Sequence, residues 1–134
     1  MSKFSPNNPC PCGSKIKYKR CCSLYHKGAR AKDALILMKS RYSAFATSNS
    51  RYLIKTTHRD NIDYKENKKE WLKELDIYCK EVDFLSLKII DFIDGKDEAY
   101  VTFEAKSSNG NLIEKSKFLK VKKEWLYVSG IVYP

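Results

Sequence analysis

The run from Tyr100 to Tyr133, YVTFEAKSSNGNLIEKSKFLKVKKEWLYVSGIVY, decides the fold class. Tyr100–Ala105 alternates apolar and polar side chains, the period of a half-buried strand. Asn109-Gly110 is a hairpin signal, because that pair tolerates the positive φ angles a tight turn between antiparallel strands demands. Leu112–Lys122 predicts the next strand, Lys123-Glu124 a tight turn, and Trp125–Tyr133 a last strand. Working back, Phe84–Ile93 is rich in Leu, Ile and Phe and stops at Asp94-Gly95, a further turn signal. The chain after Glu81 is therefore expected to be an antiparallel meander of about four strands.

The chain before Glu81 has the other period. Ala31, Ala34, Leu35, Met38, Tyr42 and Phe45 make one apolar stripe on a helix within Ala29–Ser48. Ser50–Thr57 predicts a short second helix, and Arg59–Tyr64 is polar and reads as loop. Lys65–Cys79 predicts a third helix, with Trp71, Leu72, Leu75 and Tyr78 on one face and charges on the other. Cys79, at its end, reads as a small buried apolar residue. Trp71 and Trp125 read as core. Helices segregated before an antiparallel meander indicate an α+β domain in which three helices cover one face of the sheet.

At 134 residues the chain suits one domain and a small appendage. The apolar fraction of 43% and aromatic fraction of 13% exclude wholesale disorder. Lys and Arg number 26 against 16 Asp and Glu, a formal net charge of +10, which points to an acidic partner: nucleic acid, an acidic protein surface or an anionic membrane face. No apolar run approaches the ~20 residues that span a bilayer. Met1-Ser-Lys-Phe-Ser-Pro6 has no apolar segment behind it, so a secretory leader is not expected and the cytoplasm is the expected compartment.

The appendage is defined by Cys10, Cys12, Cys21 and Cys22, in the run CPCGSKIKYKRCC. Two close cysteine pairs on a short loop can surround a zinc ion with four sulfurs, and a segment without a core of its own needs such a staple. Pro9 and Pro11 stiffen the first pair, and Gly13 permits a turn at positive φ. Lys15, Lys17, Lys19 and Arg20 offset the −2 charge that four thiolates leave on one Zn²⁺. Two disulfides, an iron–sulfur cluster and four free thiols fit the spacing and the compartment less well. His26 lies near enough to ligate, but four ligands are complete without it.

The stretch Cys10-Pro-Cys12-Gly13-Ser14, then Lys17-Tyr18, then Cys21-Cys22, led by Asn7-Asn8-Pro9, resembles the SEC-C motif, the zinc knuckle of the bacterial preprotein translocase motor SecA. Lys15-Ile16 departs from it, since the motif usually has a glycine soon after Gly-Ser. In SecA the knuckle engages an acidic chaperone face. Met38–Phe45, Tyr52–His58, Glu114–Phe118 and Trp125–Gly130 resemble the YchJ-like proteins, which carry such a knuckle ahead of a nuclear-transport-factor-2-like body. That resemblance implies a cone, a curved sheet wrapped on helices with a pocket at its wide end. The boundary read from the residues lies near Ser23–Ala29, with Gly28 as the joint, which gives a knuckle at 1–28 and a body at 29–134. Many members carry a second knuckle at the C-terminus, which is absent up to Pro134. The family has no established activity.

Within the body, Leu112, Glu114, Ser116, Phe118 and Lys120 share one face of their strand. If Phe118 points inward, Glu114 and Ser116 follow, and Arg41 is the expected partner of Glu114. A pocket lined by Arg41, Tyr42, His58, Glu114, Ser116 and Tyr127 would suit an anionic ligand. No Ser-His-Asp spacing, phosphate loop or dinucleotide fingerprint is present, and no catalytic residue is assigned. The expected function is a zinc-binding partner module whose basic knuckle (Lys15, Lys17, Tyr18, Lys19, Arg20) docks an acidic protein surface. The alternatives are a ligand-binding or enzymatic pocket in the cone, and non-specific nucleic-acid binding with Tyr18 as a stacking ring. The chain is expected to be a monomer or a weak homodimer paired through Leu119, Val121 and Leu126.

Overall fold

A computed structural model describes residues 4–134. A 3-10 turn, Tyr18–Arg20, precedes helices α1 (Cys22–His26), α2 (Ala34–Ala46), α3 (Ser50–Lys55) and α4 (Lys68–Glu81). Strands β1 (Phe84–Ile93), β2 (Glu98–Ser107), β3 (Gly110–Val121) and β4 (Glu124–Tyr133) follow. The sheet order is β1-β2-β3-β4, antiparallel throughout, so the architecture is the α+β arrangement expected from the meander.

Each body helix starts at a side-chain cap. The carboxylate of Asp33 accepts the Ile36 N–H at 2.8 Å, and the side-chain oxygens of Asn49 and Asn67 accept the N–H of Tyr52 and Glu70. The caps satisfy N–H groups that have no partner within the helix. They correct the expected starts of the first and third body helices from near Ala29 and Lys65 to Ala34 and Lys68. Two of the three hairpins also differ from expectation. Val121 pairs with Glu124, so the turn is Lys122-Lys123, at φ 50° and 69°. Ser107 pairs with Gly110, so Ser108 and Asn109 make the turn and the positive φ (111°) falls on Gly110. The short α1 and the 3-10 turn lie below the length at which a helical period is readable.

α2 is buried on two sides. Ala34, Leu37, Met38 and Tyr42 join Ala99, Val101, Phe103, Phe118 and Trp125 in the main core. Ser40 and Ser43, both fully buried, are small enough to let the knuckle and α3 approach. Ala44, Tyr52, Leu53 and Cys79 form a second cluster joining α2, α3 and α4, and burial pushes the Cys79 thiol up to about 11. Trp71 and Trp125 are buried, as read from the sequence.

Bulges bend the sheet round the helices. Val128 is the extra residue in β4, between the pairs Lys117↔Ser129 and Phe118↔Tyr127, and β1 has two further register shifts. On the outer edge of β4, Tyr127 N–H donates to Thr56 C=O at 2.9 Å and His58 N–H donates to Tyr127 C=O at 2.8 Å. The chain leaving α3 is thereby held against the sheet. The outer sheet face is mixed: Lys115 lies over the Tyr100 ring and Lys117 beside Glu98, while Ile93, Val121, Ile131 and Tyr133 are exposed apolar side chains. Leu119 and Leu126 sit opposite one another on β3 and β4. Among the described residues no helix is long and apolar enough to cross a membrane.

Candidate functional site: a four-cysteine knuckle and a cavity under the sheet

The knuckle is a small hairpin. Pro9 and Lys17 form an antiparallel bridge, Cys10 N–H donates to Ile16 C=O at 2.8 Å, and Tyr18 N–H donates to Asn8 C=O at 2.8 Å. Gly13, at φ +86°, turns the loop and lets its N–H reach Cys10 C=O. The sulfurs of Cys10, Cys12, Cys21 and Cys22 all lie within 4.8 Å of one another, and those of Cys12 and Cys21 are 3.7 Å apart. A tetrahedral ion with bonds of about 2.3 Å sets its sulfurs about 3.8 Å apart, so this donor set fits with small adjustments. Four thiols this close cannot all ionise without a cation. Hydrogen bonds from Cys12 and Cys22, helped by the Ser43 hydroxyl, hold Cys10 far below the ordinary thiol range. The contact with Cys10, with burial adding to it, holds Cys12 and Cys22 above that range. A dication among the sulfurs removes that conflict, and the four cysteines can therefore bind a metal ion.

The knuckle is keyed into the body. The Cys10 sulfur lies 3.4 Å from Ser43 Oγ, and Cys22 S–H points at Lys39 C=O, both on α2. His26 bridges the same seam. Its Nε2–H donates to Ser40 C=O at 2.8 Å, its Nδ1 accepts from the Tyr18 hydroxyl at 2.6 Å, and its ring packs 4.7 Å from that of Tyr52. Burial lowers the His26 pKa, so the neutral ring with this tautomer is favoured. Both ring nitrogens are used, which leaves His26 outside the metal ligands. Tyr18 is half-buried, with its hydroxyl engaged by His26. Lys15, Lys17, Lys19 and Arg20 are exposed, and among the described residues none of them has an ion-pair partner.

The second site is a cavity of about 440 Å³ between the helices and the sheet. Its floor is closed by Leu53, Ser116 and Phe118, each about 1% exposed, while Asp63, Tyr78 and Leu112 are exposed at its rim. Arg41, Tyr42, Glu114, Ser116 and Tyr127 line it, so five of the six expected pocket residues come together. His58 does not line it. Its backbone pairs with β4 and its Nδ1 accepts the Asp60 N–H at 3.0 Å, closing a turn. The sequence reading missed Asn61, Asp63 and Trp71 as wall residues, and nothing in their spacing marks them. They arrive because Asn61 Nδ2 donates to Val128 C=O at the β4 bulge, drawing the polar loop over the sheet.

Glu114 faces the interior, but the expected Arg41–Glu114 ion pair does not form; among the described residues each has other partners. Arg41 Nη1 donates to Leu53 C=O (3.0 Å), Thr56 Oγ1 (2.7 Å) and Thr57 Oγ1 (3.2 Å), capping α3. Its guanidinium carbon stands 4.8 Å from the centre of the Tyr127 ring. Glu114 Oε2 accepts from Ser116 at 2.6 Å and from the Tyr127 hydroxyl at 3.0 Å. Tyr127 thus contacts both charges. Burial, then Glu114, raises the Tyr127 pKa; burial pulls Arg41 down to about 10 and pushes Tyr42 up to about 12. The Glu114 carboxylate lies over Gly130, where a Cβ would come within 2.2 Å of its oxygen.

The family profile described as "YchJ, middle NTF2-like domain" matches residues 33–130, and the SEC-C motif matches residues 7–24. The chain belongs to the YchJ-like family. It is 36% identical over 131 residues to an UPF0225 protein of Photorhabdus laumondii, covering 91% of this chain and 79% of that one. It is 35% identical over 129 residues to an UPF0225 protein of Streptomyces coelicolor, covering 93% and 96% respectively. It is also similar to the solution structure of a SEC-C motif containing protein from Rhodopseudomonas palustris. That likeness has a TM-score of 0.75 at 25% identity and covers 95% of this chain and 100% of that one.

Chemically, the two sites of this YchJ-like chain differ in kind. Among the described residues the knuckle offers four sulfurs, the full ligand set of a tetrahedral ion. The cavity offers one guanidinium, two carboxylates and phenol and hydroxyl donors on mainly apolar walls, which suits recognition of a small molecule.

Proposed function

We propose that this YchJ-like protein is a zinc-stapled binding module whose basic knuckle docks an acidic protein surface. Cys10, Cys12, Cys21 and Cys22 would hold zinc, which sets the knuckle loop and leaves no open coordination position for catalysis. The reducing cytoplasm suits this role, since it keeps the sulfurs free of disulfides. The observation that carries the reading is the set of four exposed cations on the knuckle hairpin and the 3-10 turn after it, Lys15, Lys17, Lys19 and Arg20, free of ion pairs among the described residues. The keyed seam to α2 holds that cluster on a rigid base, so little order is lost on docking. Exposed cations speed encounter with an acidic surface, and the attraction is screened over about 8 Å at physiological salt.

The test is capture from native cytoplasm by the zinc-loaded protein and by a variant with Lys15, Lys17 and Lys19 all changed to Glu. Wild type should retain a partner whose capture falls steeply with salt, and the variant should not. Undiminished capture by the variant, with zinc bound, would refute knuckle docking. A parallel titration with duplex DNA separates the two acidic partners. Salt-sensitive DNA binding tighter than the protein interaction would favour nucleic acid instead.

A further inference from the structure

The cavity under the sheet carries two charged groups, each half used. Arg41 spends only Nη1 on the protein; Nε and Nη2 make no hydrogen bond to the described residues. Glu114 spends only Oε2, on Ser116 and Tyr127, and Oε1 makes none. These atoms are not sealed in. The only enclosed side-chain nitrogen or oxygen without a partner among the described residues is Trp125 Nε1, so the free edges of Arg41 and Glu114 keep accessible surface, and both residues line the cavity. A guanidinium edge with two parallel N–H groups matches a carboxylate. A carboxylate oxygen without a donor calls for an N–H. The lining carries one cation and two carboxylates, Asp63 being the second, a net formal charge of −1. A phosphate dianion or a plain carboxylate would deepen that imbalance. A molecule bearing both signs would not.

We infer that this cavity binds a small zwitterion with an apolar body, an amino acid with a large apolar side chain being the simplest case. Its carboxylate sits on the Nε–Nη2 edge of Arg41 and its ammonium on Oε1 of Glu114. Tyr127 spans the space between the two charges: its ring meets the guanidinium at 4.8 Å and its hydroxyl meets Glu114 at 3.0 Å. The apolar body lies against Tyr42, Phe45, Trp71 and Phe118. The volume of about 440 Å³ suits a ligand of this size. Burial already pulls Arg41 down to about 10 and Glu114 is half-buried, so a ligand that pairs them gains more than it would at an open surface. This site is separate from the knuckle, and its test does not depend on knuckle docking.

The experiment is a titration of the zinc-loaded full chain, followed by amide chemical shifts and calorimetry. The probes are L-phenylalanine, 3-phenylpropionate (no ammonium), 2-phenylethylamine (no carboxylate) and inorganic phosphate. L-phenylalanine should saturate and move the amides of Arg41, Ser116 and Tyr127. Each single-charge analogue should bind at least about 10-fold more weakly, the worth of one lost charged hydrogen bond. Glu114→Gln should remove the preference for L-phenylalanine over 3-phenylpropionate, and Arg41→Lys should weaken both acids. No saturable shift with any probe, tighter binding of phosphate, or 3-phenylpropionate binding as well as L-phenylalanine would overturn the inference. The wild-type comparison decides it even if a variant fails to fold.

Discussion

Several single residues have consequences that can be weighed. Trp125 is buried at 3% exposed, yet its Nε1–H has no acceptor among the described residues. An unpaired buried donor costs about 1–3 kcal/mol. Trp125→Phe removes that cost and loses some packing, so denaturant melts should place it within about 1 kcal/mol of wild type. Phe118→Ala, at the same sheet face, should lose about 3–5 kcal/mol. If Trp125→Phe proves as costly as Phe118→Ala, the indole N–H has a partner after all. Gly130 carries a different constraint, because a side chain there meets the Glu114 carboxylate. Gly130→Ala should destabilise by about 1–3 kcal/mol through overpacking. The double variant Gly130→Ala/Glu114→Ala should recover most of that, and strictly additive losses would show that the carboxylate lies elsewhere. Arg41 and Glu114 should be weakly coupled in such a cycle, because they share Tyr127 and no direct bond. Arg41→Met should be costly on its own, since it removes three hydrogen bonds at the end of α3, although the Thr56 and Thr57 hydroxyls keep their bonds to Tyr52 and Leu53 C=O.

Among the elements, α2 is the one on which the molecule turns. One side packs the sheet and the other receives the knuckle through Ser40 and Ser43. His26 is the polar pin of that seam, and it makes the seam sensitive to pH. The His26 pKa is lowered in the fold from 6.5 by burial. Above 6.5 both folded and unfolded chains hold the ring neutral, and its contribution is complete. As pH falls below that value the unfolded chain takes up a proton first, and stability drops until the lower folded pKa is passed. Thiolate protonation and metal loss add to the slope, so the comparison is between wild type and His26→Gln, melted at pH 7.5 and pH 5.5. Wild type should lose more stability across this interval than His26→Gln does. Equal losses would mean that the ring is not buried neutral at the seam.

At the scale of the whole molecule, the knuckle and the cone are expected to be unequal in their dependence on metal. Elemental analysis should find about one zinc per chain by the four-ligand count. A chelator should unfold the hairpin up to about Leu24 and leave the meander and its helices folded, since their apolar core owes nothing to the metal. The body should still melt at a lower temperature, because Ser43 and Lys39 C=O lose partners on the knuckle. Retained amide signals in the sheet with lost signals before Leu24 check the first point, and a thermal melt the second. A chain that unfolds throughout on chelation would show that the zinc staples the body too. Much of this architecture is legible in residue order alone. Alternation in Tyr100–Ala105, the 3.6-residue stripe of α2 and the two cysteine pairs are local patterns, each set by bond geometry or by the ligand needs of one ion. Even the inward register of Glu114 and Ser116 follows from Phe118, because a strand sends every second side chain to the same face. What the local pattern could not supply was who meets whom across the chain. Arg41 and Glu114 looked like partners by charge, yet backbone carbonyl and hydroxyl groups at the end of α3 compete for the guanidinium, and Tyr127 stands between. His58 was displaced from the cavity by its backbone pairing with β4, and Asn61 and Asp63 were carried to it by a bulge at Val128. Secondary structure and metal ligation were decided over a few residues, where sterics and spacing act. The cavity was decided by packing between elements far apart in the chain, where the outcome depends on every competing hydrogen bond and on the shape left over.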